Sequence, residues 1–213
     1  MLPLVAALVS GYLLGSIPTA YLVVRWKSRL DIRTAGSGNV GTLNSYLVTK
    51  SKIVGILVLL VDLLKGLSAV AVAPLFGGAP PFMAQTLGAL GAVAGQNFPV
   101  WLKGKGGRGL ATAAGAMLPL VPWAVLLWVV AWSGAFAIMR KVNPANAVAT
   151  LLVVLAGAAV PGSILQEFLP EGASVGVFRI LVIVVMGLVF IRHIGPLKEF
   201  SKERQEKKGD AAR

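Results

Sequence analysis

Long apolar runs separated by short polar segments make up most of this chain. An α-helix needs about 20 apolar residues to cross roughly 30 Å of hydrocarbon. Five runs predict such helices: Leu4 to Val24, Ile53 to Phe76, Phe82 to Leu102, Asn146 to Val160 and Val177 to Ile191.

A further apolar stretch, from Gly109 to Met139, is too long for one span and short for two. Pro119 and Pro122 lie near its middle. Proline ends a helix because it lacks a backbone N–H and its ring clashes with the preceding turn. We therefore predict a short span followed by a full one, which gives about seven transmembrane helices.

Composition supports a membrane protein. Hydrophobic residues make up 56% of the 213 positions and charged residues 13%, and the mean hydropathy is +0.80. These values lie outside the range of an ordinary soluble domain. The net charge of +12 would suggest nucleic-acid binding in a soluble protein. In a membrane protein, such a charge is first tested against the excess of Lys and Arg that cytoplasmic loops carry.

Seven spans place almost all positive charge on one side. If the N-terminus is outside, all but two of the 20 Lys and Arg residues fall on the same side. The positive-inside rule makes this side the cytoplasm, so the C-terminus is cytoplasmic and no nucleic-acid partner is expected. The predicted fold is an all-α membrane protein with one transmembrane domain, residues 1–197. A charged tail, residues 198–213, is expected to be solvated or to lie on anionic headgroups.

Cysteine is absent and histidine occurs once in the sequence. A thiolate nucleophile is therefore excluded, and a zinc or di-iron site is not expected. We predict neither a metal nor a cofactor of the protein's own.

Two glycine-rich segments lie on the predicted cytoplasmic side. They read Gly36-Ser37-Gly38-Asn39-Val40-Gly41-Thr42-Leu43-Asn44 and Gly104-Lys105-Gly106-Gly107-Arg108-Gly109. Both match G-x-G-x-x-G, but dinucleotide binding requires a preceding strand and a βαβ unit. Backbone N–H groups between glycines form anion-binding concavities, and cations beside them suit phosphate. The second segment favours anion binding, and a helix beginning at Gly109 adds its positive dipole end. For the first segment, a flexible turn is an equal alternative.

Charged and polar residues also fall within or near the spans. Asp62 and Lys65 lie three residues apart on one helical face, where charges must pair, snorkel or line a polar cavity. A pair that locks helix packing is the favoured interpretation, and direct catalysis is the alternative. His193, at the end of the last span, is either a helix-end cation or a functional group. Gln96 and Asn97 are candidates to face the same cavity.

Four short motifs follow one another along the chain in an order known from one protein family. They are Gly36 to Gly41 with Asn44, Asp62-Leu63-Leu64-Lys65-Gly66, Lys105 to Thr112, and Arg192-His193. They resemble G-S-G-N-x-G-A-T-N, D-x-x-K-G, K-G-G-K-G-V-A-T and R-H-x-x-N of the bacterial membrane family of acyl-phosphate:glycerol-3-phosphate acyltransferases. The resemblance covers nearly the whole chain.

The resemblance implies transfer of an acyl group from acyl phosphate to the 1-hydroxyl of sn-glycerol 3-phosphate. The products are 1-acylglycerol 3-phosphate and inorganic phosphate, without coenzyme A or metal. It further implies a multi-pass protein of the bacterial inner membrane whose active site faces the cytoplasm. The implied partners are the two substrates, membrane lipid and an enzyme that produces acyl phosphate.

The resemblance also implies site residues. The catalytic group is Ser37, Arg108 and His193. The substrate-binding and phosphate-binding group is Gly36, Gly38, Asn39, Asn44, Lys105, Gly106, Gly107 and Gly109. Asp62 and Lys65 form the intramembrane pair. His193 would orient glycerol 3-phosphate. A general-base role is the less favoured alternative, because the departing phosphate can take the proton itself.

Several positions depart from the family. Leu47 stands where the family has Arg, Gln96 where it has His, Arg108 where it has Lys, and Pro196 where it has Asn. Leu47 would remove a phosphate ligand, and Arg and Lys are not equivalent at tight phosphate sites. Two alternatives therefore stay open. One is a diverged non-catalytic or altered-specificity relative that binds anionic lipid or phosphate headgroups, and the other is a small transporter.

Overall fold

The computed structural model describes residues 1–211, with side chains up to residue 202 and that of Gln205. All regular structure in this range is helical. The α-helices are α1 (Leu2–Ser16), α2 (Thr19–Ser28), α3 (Thr42–Thr49), α4 (Lys52–Val72), α5 (Pro81–Asn97), α6 (Leu110–Met117), α7 (Pro122–Met139), α8 (Val142–Ala159), α9 (Gly162–Glu167), α10 (Val175–Ile191) and α11 (Ile194–Ala211), and 3-10 helices cover Ala73–Phe76 and Val100–Leu102.

Four helical stretches within the described residues are long and apolar enough to cross a membrane. They are Leu2–Ser28, Lys52–Phe76, Pro122–Met139 and Val142–Ala159. A fifth results if α10 and the start of α11, which meet at 48°, count as one broken span. The all-helical prediction is thus confirmed. The number seven and the orientation of the termini stay predictions, since α5 and α6 are shorter helices of 17 and 8 residues.

Proline sets several helix boundaries. The predicted break between Pro119 and Pro122 is present, because α6 ends at Met117 and α7 begins at Pro122. Proline is tolerated at a first helical position, where its missing N–H has no helical partner. The third predicted span is shorter than expected: α5 ends at Asn97 rather than at Leu102.

The first predicted span contains a break that the sequence analysis did not place. Pro18 separates α1 from α2, and Ile17 before it has a ψ of 114°. Proline disfavours the helical conformation of the preceding residue. The Ile17 carbonyl accepts the Thr19 N–H at 2.9 Å and a hydrogen bond from Lys65 Nζ at 3.0 Å. The break therefore places a backbone acceptor beside a buried cation.

The C-terminal tail belongs to a helix that the sequence analysis did not predict. α11 begins at Ile194 and so crosses the expected boundary after residue 197. Residues 212 and 213 of the predicted tail lie outside the described residues. The division into a domain of residues 1–197 and a tail of residues 198–213 stays a prediction.

Glycines let two pairs of helices pack backbone against backbone. At six glycines an added Cβ would overlap a main-chain atom of the partner helix. They are Gly11 and Gly15 on α1, Gly91 and Gly95 on α5, Gly66 on α4 and Gly115 on α6. Small residues are favoured where membrane helices approach closely, because packing replaces the hydrophobic driving force there. These contacts hold α1 against α5 and α4 against α6.

We predict that Gly91→Ala destabilises the protein by about 1–3 kcal/mol, the usual cost of overpacking, because the new methyl would overlap the Leu8 carbonyl. Gly134→Ala in α7 is the matched control, since nothing lies within 4 Å of a Cβ at that position. The control should be neutral or slightly stabilising, because alanine is the better helix former. Thermal unfolding of both variants in detergent tests this, and equal effects would contradict the close packing.

Candidate active site

The first glycine segment, residues 36–44, is organised by Asn44. This side chain is 1% exposed, and its Oδ1 accepts the Ser37 N–H at 3.0 Å. Its Nδ2 lies 3.0–3.4 Å from the carbonyls of Ile32, Ala35 and Asn39. The backbone of the segment therefore uses both ends of the amide, so Asn44 shapes the segment from within.

The second glycine segment, residues 104–109, is held from two sides. Arg192 donates from Nε to the Gly107 carbonyl at 3.0 Å and from Nη2 to the Gly106 carbonyl at 2.9 Å. From the other side, the Gly107 N–H donates to the main-chain carbonyl of Gln96 at 2.9 Å. That N–H is consequently engaged within the protein in this conformation. The sequence analysis named Arg192 in the fourth motif but did not place it among the site residues.

Both segments border one cavity of about 300 Å³. Its polar lining includes Asn39, Asp62, Gln96, Arg108, Asn143 and Asn146. Its apolar lining includes Leu59, Leu63, Leu110, Ala114 and Trp128. The cavity therefore presents amides and a guanidinium together with a surface suited to hydrocarbon.

Arg108 is the charged donor that projects to this cavity from the second segment. Its Nη1 donates to Oδ1 of Asn143. Burial, and then the like charge of Arg192, lower the pKa of Arg108, whereas Glu199 opposes the shift. The guanidinium stays charged near neutral pH, because arginine loses its proton only in strongly alkaline solution.

His193 lies just beyond the end of α10, and its side chain is 0% exposed. Its Nδ1 is 2.8 Å from the Val189 carbonyl. A carbonyl only accepts, so Nδ1 carries the proton and Nε2 accepts from Asn146 Nδ2 at 3.4 Å. Burial lowers the pKa of His193 to about 4, and the charges of Arg108 and Arg192 act in the same direction. His193 thus contacts the cavity through Asn146.

The structure brings together only part of the predicted set. Asn39, Arg108 and Gly109 line the cavity, whereas the exposed residues Ser37 and Lys105 lie outside its lining. Gly36 and Gly38 adopt positive φ angles of 58° and 69°, which glycine takes without strain. They act on the conformation of the first segment.

Asn143 and Asn146 are lining residues that the sequence analysis missed. They lie one turn apart near the start of α8, which begins at Val142 rather than at the predicted Asn146. Two amides at this spacing on an otherwise apolar helix were the available signal. Among the described side chains, no group of three or more His, Cys, Asp or Glu is placed to hold a metal ion.

Asp62 and Lys65 face each other across one turn of α4, and their side chains are nearly inaccessible. Lys65 Nζ lies 2.8 Å from Asp62 Oδ1. It also donates to the Ile17 carbonyl and to Gln96 Oε1. The ammonium group therefore has one ion-pair partner and two hydrogen-bond acceptors.

Comparisons with known proteins agree on one family. The sequence profile described as "Glycerol-3-phosphate acyltransferase" matches residues 5–203. Glycerol-3-phosphate acyltransferase 2 of Moorella thermoacetica is 49% identical over 126 residues, which are 57% of this chain and 63% of that protein. The chain thus spans under two thirds of that relative. Glycerol-3-phosphate acyltransferase of Sinorhizobium medicae is 43% identical over 151 residues, which are 71% of this chain and 72% of that protein.

A solved structure has the same fold. It is the crystal structure of PlsY (YgiH), an integral membrane glycerol 3-phosphate acyltransferase, in its glycerol 3-phosphate form. The TM-score is 0.76 at 29% identity, over 94% of this chain and 93% of that chain. The lysophosphatidic acid form of PlsY matches with the same score at 28% identity. The agreement over the whole fold makes this chain a multi-pass membrane protein.

The neutral state of His193 predicts a pH dependence of stability. Its folded pKa of about 4 lies below the ordinary value of 6.5, so the unfolded chain binds more protons between these values. The contribution of His193 to the free energy of unfolding is then fully present above pH 6.5 and is lost as the pH drops towards 4. Relative to His193→Gln, the parent should lose roughly 1–3 kcal/mol over this range. Thermal unfolding of both proteins measures the difference, and parallel pH curves would contradict the assignment.

Proposed function

Because the chain belongs to the glycerol-3-phosphate acyltransferase family, we propose that it transfers an acyl group from acyl phosphate to the 1-hydroxyl of sn-glycerol 3-phosphate. The hydroxyl oxygen attacks the acyl carbon and forms the ester bond. The bond from this carbon to the phosphate oxygen breaks, and the hydroxyl proton leaves with inorganic phosphate. The other product is 1-acylglycerol 3-phosphate.

The division of the cavity into a polar and an apolar part is the observation that carries this proposal. Arg108, Asn39, Asn143 and Asn146 supply hydrogen-bond donors to a phosphate or to a developing oxyanion. The leucines and Trp128 supply a surface for an acyl chain. An acyl phosphate combines these two chemistries in one molecule.

Catalysis in this site would rest on positioning and charge stabilisation. Gly109, Leu110 and Ala111 at the start of α6 border the cavity, and a helix N-terminus favours an anion. Arg108 would stabilise the transferring acyl phosphate, and Asn39 would bind substrate directly. Asn44 and the glycines at 36, 38, 106 and 107 would keep the two segments in shape.

Ser37, Lys105 and His193 would act at the rim or behind the lining. Ser37 and Lys105 are exposed and suit an approaching phosphate. His193 would orient glycerol 3-phosphate through Asn146, and its proton on Nδ1 leaves Nε2 as the acceptor. A preorganised amide is useful here, because its cost of orientation does not fall on the reaction.

We place the active site on the cytoplasmic face of a bacterial inner membrane, with seven spans and an outside N-terminus. Soluble glycerol 3-phosphate would arrive from the cytoplasm, whereas an acyl-phosphate-producing enzyme would deliver the second substrate. With seven spans, the glycine segments fall on the same side as the excess of Lys and Arg, which supports this orientation.

The two alternatives receive less support. Leu47, the main argument for a non-catalytic relative, is 56% exposed and lies outside the cavity lining. A transporter would need Asp62 and Lys65 along its pathway, but both charges are engaged with each other and with neighbouring groups. The catalytic proposal therefore fits the geometry best.

Turnover by the purified protein tests the proposal. In detergent, with palmitoyl phosphate and labelled glycerol 3-phosphate, it should form lysophosphatidic acid and phosphate in equal amounts. Arg108→Ala should lower kcat/KM by about 2–4 kcal/mol, as expected for a lost preorganised donor, and Arg108→Lys should cost less. Arg29→Ala, which removes an exposed cation outside the cavity lining, is the matched control.

Binding without turnover by the parent would favour the non-catalytic alternative. If the parent turns over but Arg108→Ala changes neither constant, Arg108 is not part of the phosphate site.

Reporter fusions test the proposed orientation. Fusions at Leu47 and Arg140 should report the cytoplasm, and fusions at Gly78 and Gly172 should report the outside, because the break before Pro122 sets the side of every later loop. An outside signal at Arg140 together with a cytoplasmic one at Arg29 would exclude seven spans.

A further inference from the structure

Gln96 lies where the two glycine segments meet. It is 7% exposed, near the end of α5. Its Nε2 is 3.3 Å from the Val40 carbonyl of the first segment. Its main-chain carbonyl accepts the Gly107 N–H of the second segment at 2.9 Å. One residue thus contacts both segments.

The other contacts of the Gln96 side chain fix its orientation. Oε1 accepts from Lys65 Nζ, and Nε2 lies 3.3 Å from Asp62 Oδ2. Lys65 and Asp62 both lie on α4 and are buried. A movement that separated them would leave each charge uncompensated. Such a loss is strongly destabilising in a low-dielectric environment.

The segments are in direct contact at this point. A Cβ at Gly107 would lie 2.5 Å from the Val40 carbonyl oxygen and 2.6 Å from Gln96 Nε2. A side chain there would push apart the same atoms that Gln96 joins. The glycine at this position therefore serves the contact between the segments.

We propose that Gln96 is a positioning residue that fixes the first glycine segment against the second, with the Asp62–Lys65 pair as its anchor. Asn39 and Arg108 project from these two segments onto the cavity, so the contact sets how far apart they stand. Its consequence for turnover rests on the proposed acyl transfer, whereas its consequence for the conformation of the segments does not.

The amide group explains why glutamine works at this position. It accepts from Lys65 through Oε1, while Nε2 has two protons for Asp62 and Val40. A neutral imidazole has one donor and one acceptor nitrogen, so a histidine holds Lys65 and only one of the other two. Gln96→His should accordingly be intermediate between the parent and a variant without polar side-chain atoms.

Gln96→Met is that variant, because methionine has a similar length without strong donors or acceptors. The control is Thr86→Val, on the same helix. Thr86 is 3% exposed, and its hydroxyl donates to the Phe82 carbonyl within the same helix at 2.8 Å. This control removes a buried hydrogen bond that does not reach either glycine segment.

Hydrogen–deuterium exchange and kinetics together test the inference. In Gln96→Met, the amides of residues 36–44 and 104–109 should exchange at least about tenfold faster, whereas Thr86→Val should leave them unchanged. The kcat/KM of Gln96→Met should fall on the order of 10-fold to 100-fold, as expected for misplaced substrate-positioning groups, and its KM for glycerol 3-phosphate should rise. Gln96→His should recover part of both effects.

The outcomes separate this inference from the proposed function. If the parent shows no acyl transfer, the proposed function fails, but faster exchange confined to the two segments still supports Gln96 as their positioning residue. If Gln96→Met only lowers the unfolding temperature, with segment exchange and kinetic constants as in Thr86→Val, Gln96 is merely structural and the inference is overturned.

Discussion

The compensation of one buried ammonium group ties the site to the rest of the fold. Lys65 lies on a helix long and apolar enough to span a membrane, where an uncompensated charge is costly. Asp62 supplies the opposite charge, and Ile17 and Gln96 supply the remaining acceptors. These acceptors come from the break after α1 and from the end of α5. A displacement of either element therefore removes one of the acceptors of Lys65.

Close helix packing makes this compensation possible. A carbonyl reaches a lysine on another helix only if the two backbones approach closely, and glycine permits such an approach. Gly66, which directly follows Lys65, packs on the Thr112 carbonyl of α6. The same crossing brings the start of α6 beside Asp62, so both border the cavity. The small residues that pack the helices thus also place the polar groups of the site.

Local signals in the sequence predict more of this protein than long-range ones. Proline placed the break before α7, and the spacing of Asp62 and Lys65 placed both on one face of α4. The contacts of Arg192 with Gly106 and Gly107 join segments far apart in the chain, and no local pattern encodes them. The position of His193 behind Asn146 likewise depends on how α8 packs against the end of α10. The glycine segments and the cations beside them indicated phosphate chemistry, but the lining of the cavity required the fold.

The buried state of His193 keeps the charge of the site constant near neutral pH. A proton on this ring would add a third cation near Arg108 and Arg192, and both burial and these charges oppose it. Arginine does not titrate in this range. A phosphate monoester does, because its second pKa lies near 6. Under the proposed function, a change in phosphate binding around neutral pH would then reflect the charge of the substrate. If the cavity binds phosphate as proposed, cations and amides that do not titrate in this range would distinguish a dianionic phosphate from a monoanionic one.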